Sequence, residues 1–132
     1  MFIKKIGILF VLFGFICTLQ AFDLEEISKN ALKEHKLILL SVESENCRYC
    51  EKMNKDVFTP DEYTSKINTQ YVQKIVKIQN INLPKNLKVQ YYPTNFILDP
   101  KDMSIVDEFV GYMKPKDFIA LLDIVYEQEI HN

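Results

Sequence analysis

Cys47-Arg48-Tyr49-Cys50 sits between two contrasting runs: Leu37-Ile38-Leu39-Leu40-Ser41-Val42 leads in, and Glu51-Lys52-Met53-Asn54-Lys55 leads out. The first run is almost wholly apolar, as a central strand buried on both faces must be. The second reads as a helix. Two cysteines three apart at a helix start lie one turn from each other. They can close a small disulfide ring or open to a dithiol. A thiolate at the first position would feel the partial positive charge of the helix N-terminus, which lowers its pKa.

Working outward, the N-terminus has a different character. Met1 to Lys5 is short and basic, Ile6 to Cys17 carries no charge, and Thr18-Leu19-Gln20-Ala21 ends on a small residue before charges begin at Asp23. That order predicts a secretory signal peptide over residues 1–21, cleaved after Ala21, with one domain over residues 22–132. The alternative is an uncleaved anchor, because Ile6 to Phe22 just reaches the length of a membrane span. Cys17 follows Phe15-Ile16 rather than a small residue, which argues against lipidation, so it leaves with the leader. The mature chain has 111 residues (132 less 21), enough to bury one core. Its charge becomes 14 basic against 18 acidic, a net −4, with no basic patch for nucleic acid.

Two cysteines then remain in an exported chain, as a staple or as a redox couple. A staple gains most by closing a long loop, and this one spans four residues, so the spacing favours redox chemistry. A zinc site normally needs four ligands, and His35 and His131 are not in ligand spacing with the pair. Only a homodimer sharing two pairs could evade that count, so no metal is expected. Haem attachment needs His after the second cysteine, and Glu51 stands there.

The remaining pattern predicts the other elements. Asp23 to Glu34 has an apolar helical face of Leu24, Ile27, Ala31 and Leu32. Asn46 is the expected N-cap of a helix from Cys47 to about Val57. Thr59-Pro60-Asp61-Glu62 predicts a second helix start, with Thr59 as cap, Pro60 at the first position and Glu62 closing a capping box, hence a break near Phe58. That helix ends near Asn68. Tyr71 to Ile78 is a strand by its Val, Ile and Tyr content. Asn80 to Gln90 reads as a loop with a short helix from Pro84. Asn95 to Leu98 and Ser104 to Val110 read as an antiparallel pair around the Asp99-Pro100-Lys101-Asp102 turn. Pro115 opens a last helix whose Phe118, Leu121, Leu122, Val125 and Tyr126 form one stripe. The order α-β-α-β-α-β-β-α predicts an α/β fold with a mixed sheet covered on both faces.

Order and motif together resemble the thioredoxin fold, specifically exported thioredoxin-like thiol:disulfide oxidoreductases. The resemblance spans about Leu24 to Glu127. It rests on Cys-x-x-Cys after the first strand (Cys47, Cys50), Pro93-Thr94 opening the third strand, and Gly111 after the fourth. It implies a central four-stranded mixed sheet and a redox-active Cys47–Cys50 disulfide, with no further cofactor. Cys47 would be the nucleophile and Cys50 the resolving thiol. Pro93 would be cis beside the dithiol, and the Tyr92 backbone would pair with an extended substrate, flanked by Thr94. Arg48 would favour the thiolate and Tyr49 supply an aromatic rim, against a plain reading of both as surface residues. Asn46 stands where many relatives have tryptophan. Ser41 stands where many bury an acid that moves a proton from the resolving thiol. Glu43 is the substitute candidate for that relay, against the plainer reading of a solvated loop acid.

The implied function is exchange with protein disulfides. Relatives that oxidise often carry His between the cysteines and a helical insertion between the second and third strands. Arg-Tyr stands in the first place, and the 15 residues between Ile78 and Thr94 leave no room for the second. The expectation therefore leans to a reductase fed by a membrane or periplasmic thiol-disulfide partner. The alternatives are an oxidase or isomerase of the same fold, or a non-catalytic or metal-handling binding module built on it.

Overall fold

A computed structural model describes residues 23–131. The leader assigned to residues 1–21 lies outside the described residues. Helix α1 (Leu24–Glu34) is capped by Asp23, whose carboxylate accepts the Glu25 and Glu26 amides. Strand β1 (Leu37–Glu43) follows, buried along its whole length, one residue longer than the apolar run. The helix after the cysteines is α2 (Arg48–Met53), continued by a π-helical turn over Asn54–Phe58. Then come α3 (Asp61–Gln70), β2 (Tyr71–Lys77), a 3-10 turn (Ile78–Asn80), β3 (Thr94–Leu98), β4 (Ile105–Val110) and α4 (Pro115–Ile130).

The sheet order is β2-β1-β3-β4. β1 is parallel to β2 and antiparallel to β3, and β3 is antiparallel to β4. Alternation along β1 divides the core. Ile38, Leu40 and Val42 join Ala31, Phe96, Leu98 and Leu87 on the face covered by α1. Leu37 and Leu39 join Met53, Val57, Ile67, Tyr71, Ile97 and Phe118 under α2, α3 and α4. Tyr71 fastens the last helix by donating its hydroxyl to the Leu122 carbonyl at 2.6 Å, and burial raises the pKa of that phenol.

Three local expectations are corrected. Asn46 is not the cap of α2: it adopts a left-handed φ of 55°, which Asn tolerates, and so turns the chain. The extended cap conformation falls on Cys47. Thr59 does not cap α3, because its backbone still belongs to the preceding helical winding. Pro60 is extended at the cap position, and no side chain caps the helix there. Finally, Pro84 starts a single turn closed by the Leu87 amide at 2.9 Å, not a helix. Leu87 is 5% exposed and anchors that loop to the α1 face. The break near Phe58 is real, as the end of the π turn.

Candidate active site

Register brings the site together at one end of the sheet. Val42 pairs with Thr94, and Thr94 with Val110. The segment after β1, carrying the cysteines, and the segment before β3, carrying Tyr91-Tyr92-Pro93, therefore emerge at the same end. The Tyr92–Pro93 bond is cis, and Pro93 is buried. The Gly111 amide donates to the Pro93 carbonyl at 2.7 Å. Gly111 has φ 87°, a left-handed conformation that favours glycine. A Cβ there would meet nothing within 4 Å, so the requirement is of backbone and not of space.

Cys47 and Cys50 form a disulfide with Cα atoms 5.2 Å apart. The Cys47 sulfur, at the cap of α2, accepts the Cys50 amide at 3.1 Å. Any negative charge developing on Cys47 is thus met by a backbone donor and the helix terminus. Cys47 is half-buried, whereas Cys50 is 2% exposed. Arg48 and Tyr49 both project to solvent at the rim, Tyr49 at 61% exposure, and Tyr91 joins them at 69%. Sequence reasoning gives Tyr91 no site role; its place two residues before Pro93 is the signal that could have found it.

Glu43 is not a solvated loop acid. It ends β1, is 5% exposed, and accepts a hydrogen bond from Asn54 Nδ2 at 2.7 Å. Burial raises its pKa, against the opposing pull of the Asn54 bond and the Lys77 charge. Asn54 lies one turn beyond Cys50 and donates its amide to the Cys50 carbonyl, so Glu43 lies beneath the helix face that carries Cys50. Ser41, in the same row of β1, donates to Asn95 Oδ1 at 2.6 Å, both residues fully buried. Asn95 was not anticipated, because only the β1–β3 register sets it opposite Ser41.

This is a thioredoxin fold with a Cys-x-x-Cys disulfide at the end of the sheet where β1 and the cis-proline segment meet. The chain belongs to the thioredoxin-like domain family, whose model matches residues 24–126. Among solved structures it is similar to the periplasmic thioredoxin SoxS of Paracoccus pantotrophus: 19% identity, 71% of this chain, 99% of that one, TM-score 0.57. A Thermus thermophilus thioredoxin matches at 22% identity over 76% of this chain and 81% of that one, TM-score 0.63. The C-terminal domain of Neisseria meningitidis DsbD, in its oxidised form, matches at 20% identity over 78% and 89%, TM-score 0.58. No curated protein matches. Family, fold and the Cys47–Cys50 pair make the protein a thiol:disulfide oxidoreductase.

Proposed function

We propose that the protein reduces protein disulfides, with Cys47 as nucleophile. The observation that carries the reading is the asymmetry of the pair: Cys47 is reachable at a helix cap, while Cys50 is buried one turn inside. In the reduced form the Cys47 thiolate attacks one sulfur of a substrate disulfide and expels the other as a thiolate. The Cys50 thiolate then attacks the Cys47 sulfur, closing the Cys47–Cys50 disulfide and releasing the second substrate thiol. Two electrons pass from the dithiol to the substrate. Glu43 takes the proton that Cys50 must lose, and its upward shift brings it nearer the pH at which a general base works. The Tyr92 backbone beside Pro93 offers an edge for an extended substrate, with Thr94 holding the turn through its hydroxyl bond to the Tyr91 carbonyl at 2.7 Å. Arg48 and Tyr49 form the facing rim. No cofactor beyond the disulfide takes part.

The protein is exported, as the leader pattern and the periplasmic setting named for SoxS support. No helix among the described residues is long and apolar enough to cross a membrane. Electrons would come from a membrane or periplasmic thiol-disulfide partner. Three measurements test these points. Cys47→Ala abolishes insulin-disulfide reduction by residues 22–132; undiminished turnover sinks the mechanism. A reduction potential near about −270 mV supports the reductive direction, and one near about −120 mV reverses it. Glu43→Gln slows release of the mixed disulfide by about a hundredfold at neutral pH, and an unchanged rate removes Glu43 from the relay.

A further inference from the structure

Two hydrogen bonds converge on one carboxylate of the helix that carries the disulfide. Lys52 Nζ and the Tyr112 hydroxyl both donate to Asp56 Oδ2, at 2.6 and 2.8 Å. Lys52 Nζ also stands 4.6 Å from the centre of the Tyr112 ring. Lys52 and Asp56 lie four residues apart on the helix that carries the cysteines. Asp56 falls within its π turn, a winding that recurs at functional sites. Tyr112 belongs to the loop between β4 and α4. Its neighbour Gly111 is the residue whose amide holds the Pro93 carbonyl.

One oxygen atom therefore ties the disulfide helix to the β4–α4 loop, whose Gly111 in turn holds the cis-proline segment. Asp56 and Tyr112 are 56 residues apart in the chain but one hydrogen bond apart in space. The cluster is not a stability device. The Asp56 side chain is 25% exposed and that of Lys52 is 52% exposed, so water screens the pair and its contribution to folding is small. Its geometry is nevertheless closely set, because two donors share one acceptor while the cation rests on the ring. Lys52 first, and then Tyr112, hold the Asp56 carboxyl below its usual range, so the acceptor is charged at neutral pH.

We propose that Asp56 and Tyr112 are positioning residues for disulfide exchange: they fix the distance between the Cys47 helix and the Tyr92–Pro93 edge, so that one peptide disulfide can lie on both. The inference rests on the reading of that edge as the substrate strand and is independent of the direction of electron flow. A substrate too small to reach the edge does not feel the latch.

The test uses the reduced mature chain, with wild type, Tyr112→Phe, Asp56→Asn and Asp56→Ala. Rates are measured toward a cyclic peptide disulfide and toward hydroxyethyl disulfide, together with the pH profile of Cys47 alkylation. Tyr112→Phe keeps the ring under Lys52 and removes only the donor. It slows the peptide reaction by about tenfold and leaves the small disulfide and the alkylation profile unchanged. Asp56→Asn, which keeps an acceptor for Tyr112, retains more of the peptide rate than Asp56→Ala. Equal loss on both substrates, or no loss on either, overturns the latch. A wild type with no preference for the peptide defeats the substrate-edge reading itself; a preference that survives in Tyr112→Phe defeats only the latch. If Tyr112→Phe fails to fold, the ranking of the two Asp56 variants on the same two substrates decides.

Discussion

The two faces of β1 are built to different rules. On the α1 side its residues Ile38, Leu40 and Val42 meet Phe96, Leu98 and Ala31, and every one of these side chains is apolar. On the other side the row begins as core with Leu37 and Leu39 and turns polar at Ser41 and Glu43, as the strand nears the disulfide. Both polar residues are buried, and each has a partner from another element, Asn95 or Asn54. Even so, the pairing is incomplete. Among the described residues, Asn95 Nδ2 and Asn54 Oδ1 are buried without a partner. One face is thus optimised for burial. The other places hydrogen-bonded polar groups under the helix that carries the chemistry, where sequence rules for a core are commonly broken.

The contrast can be broken most forcefully at Phe96, fully buried on the apolar face. Phe96→Ala should lower unfolding free energy by about 3–5 kcal/mol in urea titrations, while the molecules that remain folded exchange disulfides at the wild-type rate. Asn95→Ala should cost less, about 1–3 kcal/mol, because it leaves the Ser41 hydroxyl unpartnered. Unlike Phe96→Ala, it should also slow exchange, because the lost pair lies in the row beneath the disulfide helix. If both variants lose stability and neither loses rate, the faces do not differ in function.

The smallest effect sharpens the polar face. Glu43 binds its proton more tightly folded than unfolded, because burial raises its pKa. Between the ordinary carboxylate value and the raised one, the native state holds more protons, so stability falls as pH rises through that window. Glu43→Gln should flatten this slope and change stability by under about 1 kcal/mol near pH 4, where wild-type Glu43 is largely protonated. A slope unchanged in urea titrations between pH 4 and 8 would mean that Glu43 does not carry it.

Much of this architecture was legible in the sequence because its causes are local. The nearly continuous apolar run favoured an interior strand over an edge, and β1 is one. The stripe from Phe118 to Tyr126 marked a helix face, and α4 buries Phe118, Leu122 and Val125 from it, with Ile119 in place of Leu121. The short spacing of the cysteines favoured a redox pair over a staple, and Pro93-Thr94 gained its meaning from the family resemblance. The errors fell where two local signals competed. Asn46 can cap a helix or turn the chain left-handed, and the backbone chose the turn, leaving Cys47 as the cap. Thr59 and Pro60 offered adjacent caps, and the π turn ran on through the threonine.

The sequence by itself thus determined most of the elements, through periodicity and propensity within a few residues, and singled out the cysteine pair by its spacing; the resemblance to a family then drew in Pro93-Thr94 and Gly111. The tertiary structure alone decided what surrounds the pair. Ser41 meets Asn95 across 54 residues, and Asp56 meets Tyr112 across 56. Glu43 became a buried acid because α2 and its π turn fold back over the end of β1. Such contacts depend on strand register and helix winding set by the whole core, and no window of the chain contains them.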